Sequence, residues 1–235
     1  MSRGDGDLVV IGASAGGIEP LLQLVAKLPG DLAAPVLITV HVSASGRGAL
    51  PSMLERAGAL SSVHARDGEP LTPGRVVVAV PDHHLLVAGA TVRVTHGPRE
   101  HHHRPSIDKL FRSAVAARGP RVIGVLLSGA LDDGVAGLAA LARAGGRVVV
   151  QAPQTAAYDS MPSRALEALK PDAVLEPETL GSGLVELIGD RSAGEHAPPG
   201  PDDSLPAALG PSPLRCPECA GVIDRLPVHE DRCDG

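Results

Sequence analysis

One pattern recurs through the first three quarters of the chain and restricts its fold more than any other. A short run of consecutive aliphatic residues stops at small or polar residues, and a helical apolar period follows. The first instance is DLVVI at 7–11. It is broken by Gly12-Ala13-Ser14-Ala15-Gly16-Gly17, after which Ile18, Leu21, Leu22, Val25 and Leu28 share one helical face. PVLITV at 35–40, RVVVAV at 75–80, RVIGVLL at 121–127 and RVVV at 147–150 are runs of the same kind. Runs that are apolar at every position, not at alternate ones, describe strands covered on both faces. Strands of that kind separated by helices predict an α/β fold: a doubly wound, mainly parallel sheet flanked by helices.

Smaller features fit around that frame. Residues 84–96, with Gly89 near their centre, predict one β-hairpin. Ile107, Leu110, Phe111, Ala114 and Val115 predict an amphipathic helix, with Pro105 suited to its first turn. Phe111 and Tyr158 are the only aromatic residues among 235, so the core is expected to be Val, Leu, Ile and Ala. The patterning fades after residue 190. Residues 191–215 are rich in Pro and Gly and read as a disordered linker, and 216–235 form a short Cys-containing tail.

Charge and hydropathy exclude several classes. A net charge of −6 offers no general basic face, so nucleic acid is not an expected partner. No run of apolar residues is long enough for membrane insertion. No signal-peptide pattern opens the chain and no Cys precedes residue 216, which makes a cytoplasmic location the expectation.

Ligands of doubly wound sheets bind at the carboxyl ends of the strands. Three chemically capable groups fall there. Ser14 lies in Gly12-Ala13-Ser14-Ala15-Gly16, which fits G-x-S-x-G, the sharp turn that mounts a nucleophilic serine. The same turn also reads as a crowded corner with a helix-capping Ser, or as a phosphate site on a helix N-terminus. Dinucleotide and Walker fingerprints do not match, because Ser14 replaces a required Gly and no Lys follows the turn. His41 directly follows LITV, and a serine needs a base within hydrogen-bond reach. Asp132 and Asp133 end LLSGALDDG, where one can orient His41 and the other can cap the Ala/Leu helix that follows. The backbone N–H of Ala15, at the start of a helix, is a candidate oxyanion donor, and the Gly129-Ala130 loop a second.

IGASAGG, the strand ending in His41, HHHRPSIDKLFRSA and LLSGALDDGVAGL together resemble the catalytic domain of the CheB-type protein-glutamate methylesterases of bacterial chemotaxis. PDHHLLV and QAPQTAAYDSMPSRAL resemble further segments of it, and the resemblance runs in order from about residue 7 to 180. It implies a methylesterase catalytic domain over 1–190, with Ser14 as nucleophile and His41 as base. The family's T-G-M-G-x-D-G pattern falls on Ser128-Gly129-Ala130-Leu131-Asp132-Asp133-Gly134. Asp133 is then the orienting acid, and Ala130 stands where a Met backbone N–H helps to hold the oxyanion. The implied substrates are glutamate γ-methyl esters on the cytoplasmic helices of methylated chemoreceptors or similar signalling proteins, with glutamine deamidation as a second activity. Receiver and methyltransferase proteins are the implied partners in trans. Only six residues precede the first strand, so control by a receiver domain in the same chain is not expected. No cofactor is expected for catalysis.

Two further features stand apart. His101-His102-His103 read as a solvated loop leading into the following helix, lining the substrate cleft, rather than as a metal site. Cys216 and Cys219, nine residues, His229, three residues and Cys233 have the spacing of a structural zinc site, against which stands a reduced tail with little core of its own. Besides the serine esterase, a signalling or scaffold module that kept the fold and lost turnover is the alternative reading, motivated by Ala130.

Overall fold

The computed structural model describes residues 6–41, 48–190, 223–225 and 231–233. The chain runs through strands β1 (Leu8–Ala13), β2 (Val36–Val40), β3 (Ser61–His64) and β4 (Arg75–Val78). The pair β5 (His84–Ala88) and β6 (Thr91–Thr95) comes next, then β7 (Val122–Leu126), β8 (Arg147–Gln151) and β9 (Ala173–Leu175). The helices are α1 (Ile18–Ala26), α2 (Leu50–Ala57), α3 (Ile107–Arg118), α4 (Val135–Arg143), α5 (Ser160–Ala168) and α6 (Pro177–Asp190). Seven strands form one parallel sheet in the order β3-β4-β2-β1-β7-β8-β9.

The two-residue side-chain period of a strand divides this sheet into two cores. Val9, Ile11 and Ala13 face Leu21, Leu24 and Val25 of α1 and Leu180 and Leu184 of α6. Leu8 and Val10 face the opposite layer, with Ile107, Leu110 and Phe111 of α3, Leu138 and Leu141 of α4, and Met161 of α5. Every residue of β1, β2 and β7 is buried, which is why their sequences lack polar alternation.

The hairpin β5–β6 stands outside the sheet and packs on α3. The Val87 N–H donates to Ser113 Oγ at 3.0 Å. His84 is fully buried and joins the hairpin to the helix start: its Nε2 donates to the Pro98 carbonyl at 2.8 Å, and its Nδ1 accepts the Ser106 N–H at 3.2 Å. Ser106 is the N-cap of α3, accepting the Lys109 N–H. Pro105 therefore sits one residue before the cap and not in the first turn.

The chain leaves β1 towards β2 and returns across it to reach β7, so β1 lies at the point where the winding reverses. At such a point the loops beyond neighbouring strands part and leave a crevice. The register places Ala13 opposite Val40 and Gly12 opposite Leu126. Residues 14, 41 and 128 consequently emerge side by side.

Beyond the sheet, β10 (Ile223–Arg225) pairs antiparallel with β11 (Asp231–Cys233). The expected linker at 191–215 and the zinc candidates Cys216, Cys219 and His229 lie outside the described residues, and of Cys233 only the backbone is described. Among the described residues, no helix is long and apolar enough to cross a membrane.

Candidate active site

Strand pairing continues one residue past each strand and fixes the site. The Ser14 N–H donates to the Ser128 carbonyl at 3.0 Å, and the His41 N–H donates to the Ala13 carbonyl at 3.1 Å. These bonds set the two side chains face to face. Ser14 Oγ lies 3.0 Å from His41 Nδ1, and His41 Nε2 lies 2.8 Å from Asp133 Oδ2. With Asp133 ionised, Nε2 carries the ring proton and Nδ1 is the acceptor facing the serine hydroxyl. The three residues that the sequence singled out at separate strand ends thus form one hydrogen-bonded relay.

Asp133 is almost completely buried and carries four hydrogen bonds. Its Oδ2 accepts the Ile107 N–H at 2.8 Å besides His41, and its Oδ1 accepts the Asp108 N–H at 3.0 Å and the Ser106 hydroxyl at 3.1 Å. The carboxylate thus occupies the N-terminus of α3, where the helix dipole favours negative charge. Burial alone pushes the Asp133 carboxyl up. The hydrogen bond and charge of His41 and the amides of Asp108 and Ile107 outweigh it and hold the group below the ordinary carboxylate range.

The cap expected on the Ala/Leu helix is absent: α4 begins at Gly134 with no side-chain cap. Asp133 serves α3 instead, and Asp132 turns outward to Arg164 at 2.8 Å.

The Gly-rich corner owes its residues to close approach. Gly16 has φ +70° and would place a Cβ 2.7 Å from that of Ala157. Gly129 is wedged between Ser14 and Met161, and a Cβ there would come 2.9 Å from Ser14 Cβ and collide with Met161 Cε. The Gly17 N–H donates to the Ser14 carbonyl and the Gly129 N–H to the Tyr158 carbonyl, each at 3.0 Å. The amides of Ala15 and Ala130 stand next to these on the two loops beside Ser14. Ala15 lies in the turn before the N-cap Gly17 and not on the first helical residue.

Several residues of the site were not legible as such. The His103 ring lies flat on that of His41, with centroids 3.6 Å apart and planes 10° from parallel. Burial and the neighbouring charge of His41 push the His103 pKa down to about 4, so this ring is neutral at neutral pH. His101 is buried, with Nε2 3.2 Å from Asp108 Oδ2. The Asp108 carboxylate raises the His101 pKa to about 9, against the opposing effect of burial. Burial first, then the charge of Asp133, push Asp108 up. His101 and His103 are therefore folded into the site, and the expected solvated loop is confined to exposed His102. The outward clue was their place in a segment shared with the resembling family. The left-handed backbone at His101 and His102, with φ +46° and +63°, had no sequence signal.

Ser128 is another such residue. Its hydroxyl lies 2.9 Å from the Ala15 carbonyl and accepts the Tyr158 N–H at 3.0 Å, while its N–H donates to Gln151 Oε1 at 2.9 Å. One side chain and one amide thereby tie the loops after β1, β7 and β8 together.

His101, Asp108 and Asp133 lie close enough for one ion to bridge them. The donor set fits a metal poorly. Asp133 already accepts four hydrogen bonds, Asp108 Oδ1 accepts the Gly137 N–H at 2.6 Å, and protonated His101 has no lone pair to offer at Nε2. The cluster fits a buried ion pair behind the relay.

The arrangement can activate a serine hydroxyl beside two loop amides. The family model described as CheB methylesterase matches residues 9–184. A relative in Anaeromyxobacter dehalogenans, named protein-glutamate methylesterase/protein-glutamine glutaminase 3, is 43% identical over 181 residues, covering 76% of this chain and 53% of its own. A Leptospira interrogans protein that carries the same name provisionally is 36% identical over 182 residues, covering 77% of this chain and 94% of its own. The chain thus spans about half the length of the first relative and nearly all of the second. The solved catalytic domain of the Thermotoga maritima CheB methylesterase superposes with a TM-score of 0.75 at 28% identity, covering 77% of this chain and 98% of that one. The family match covers the sheet from Val9 onward and every residue of the relay, and on it this chain belongs to the CheB methylesterase family.

Proposed function

We propose that the chain is a serine hydrolase that removes methyl groups from glutamate γ-methyl esters on methylated chemoreceptors or similar signalling proteins. The observation that carries this reading is the Ser14–His41–Asp133 relay, with hydrogen bonds of 3.0 and 2.8 Å at the switch point of the sheet. The names of the relatives support the substrate class.

In this reading Ser14 Oγ attacks the ester carbonyl carbon as His41 Nδ1 takes the hydroxyl proton. The amides of Ala15 and Ala130 hold the developing oxyanion, and Asp133 stabilises the imidazolium. Collapse of the intermediate breaks the bond to the methoxy oxygen, which leaves as methanol with the proton from His41. A γ-glutamyl ester on Ser14 remains. Water, deprotonated by His41, attacks that ester, frees the glutamate carboxylate and restores the serine. The same cycle on a glutamine side chain releases ammonia instead, the glutaminase activity in the relatives' names. Receiver and methyltransferase proteins are the partners expected in trans.

A serine-reactive phosphonate tests the nucleophile. Labelling of the wild type that disappears in Ser14→Ala is expected. Equal labelling of both proteins contradicts the assignment.

A further inference from the structure

Among the described residues, four large apolar side chains are exposed: Ile18, Leu131, Tyr158 and Val174. Val174 belongs to the edge strand β9. Leu131 and Tyr158 stand on the loops after β7 and β8, and Ile18 stands at the end of the loop after β1, three segments that meet around Ser14. Ile18 opens α1 directly after Gly16-Gly17. Tyr158 lies over Gly16, where a Cβ would come 3.1 Å from its Cδ2, and its carbonyl accepts the Gly129 N–H. Leu131 follows Ala130.

Leu131 is the informative member. Its φ is +68°, a left-handed conformation that disfavours a residue bearing a Cβ and that glycine adopts freely. Its side chain is 53% exposed and belongs to neither hydrophobic core, so packing does not explain a leucine there. Beside Leu131, Asp132 pairs with Arg164 at 2.8 Å and lies 3.8 Å from His101 Nδ1, so no unpaired carboxylate adjoins the leucine. Strained, exposed residues at the mouth of a site point to contact with what enters it.

We propose that Leu131, with Tyr158 and Ile18 on the adjoining segments, determines specificity by receiving an apolar side chain of the substrate protein next to the esterified glutamate. The proposal rests on the esterase reading of Ser14. The loop of Leu131 borders Ser14, since a Cβ on Gly129 would come 2.9 Å from Ser14 Cβ, so a polypeptide whose ester carbonyl reaches Ser14 Oγ comes against that loop. An apolar neighbour loses water on contact with Leu131, whereas a polar one loses hydrogen-bonding water without gaining a partner.

Two synthetic peptides test it, each with one glutamate γ-methyl ester and differing only in a Leu or a Ser beside that glutamate. Methanol release is measured per mole of phosphonate-reactive enzyme, so misfolded protein does not count. The wild type is expected to favour the Leu peptide in kcat/KM about ten-fold, the scale on which apolar pockets discriminate. In Leu131→Gly and Leu131→Ser the preference is expected to fall to about two-fold or less. Leu131→Gly, which relieves the backbone, is expected to melt no lower than the wild type. Equal hydrolysis of both peptides by the wild type, or a preference that survives in Leu131→Gly, overturns the contact and leaves the esterase reading standing. Hydrolysis of neither peptide overturns the esterase reading and the contact with it.

Discussion

The imidazole of His103 lies face to face with that of His41, ring centroids 3.6 Å apart. The pair joins the loop before α3 to the end of β2, and the upper ring is uncharged because burial and the charge of His41 disfavour its protonation. His41 is therefore held by two hydrogen bonds in its plane and one flat neighbour above it. His103→Ala removes that neighbour and is expected to lower kcat about ten-fold, the scale of a misplaced base. His103→Phe, which restores a flat ring without nitrogen atoms, is expected to recover most of the loss. Steady-state kinetics on one ester decide it: a Phe variant no better than Ala contradicts a packing role.

Ser106 couples stability to the relay, because one hydroxyl caps α3 and donates to Asp133. Loss of an N-cap to Ala costs about 1 kcal/mol, but to Gly only a few tenths. Ser106→Ala is thus expected to melt lower than Ser106→Gly. Both variants lack the donor to Asp133 and are expected to lose kcat alike, about ten-fold for a buried bond to a charged group. Unchanged kcat in both would show that the three remaining bonds to Asp133 suffice.

The His101–Asp108 pair makes stability depend on pH with a defined sign. His101 titrates near 6.5, the ordinary imidazole value, when unfolded and at about 9 when folded, so the folded chain holds the proton through that window. Its contribution is complete below the lower value, declines as pH rises between them and vanishes above the higher. His101→Asn is expected to be less stable than wild type by about 2 kcal/mol near pH 6, and the gap should close towards about pH 10. Denaturant melts at both pH values measure it. A gap that stays constant contradicts the buried ion pair.

The strands were legible because burial on both faces leaves unbroken apolar runs, as in LVVIGA and VLITV. Ser14 and His41 were legible because each directly follows such a run. The choice between Asp132 and Asp133 was not a matter of local pattern: it depends on α3, whose N-terminal amides come from residues 107 and 108. Ser106 was not singled out, because the helix was read as beginning at Pro105 and its partner Asp133 lies 27 residues away. The His101–His103 segment was misread because three consecutive polar residues look solvated. Its left-handed backbone turns the first and third inward.

Methanol release from methylated chemoreceptor preparations, compared between wild type and Ser14→Ala, tests the proposed activity most directly. The wild type is expected to release methanol, and Ser14→Ala to be slower by about 10⁴-fold or more, as for loss of a nucleophile in a serine hydrolase. Release by Ser14→Ala at the wild-type rate would contradict the role of Ser14, and no release by the wild type would favour a binding module that kept the relay without using it.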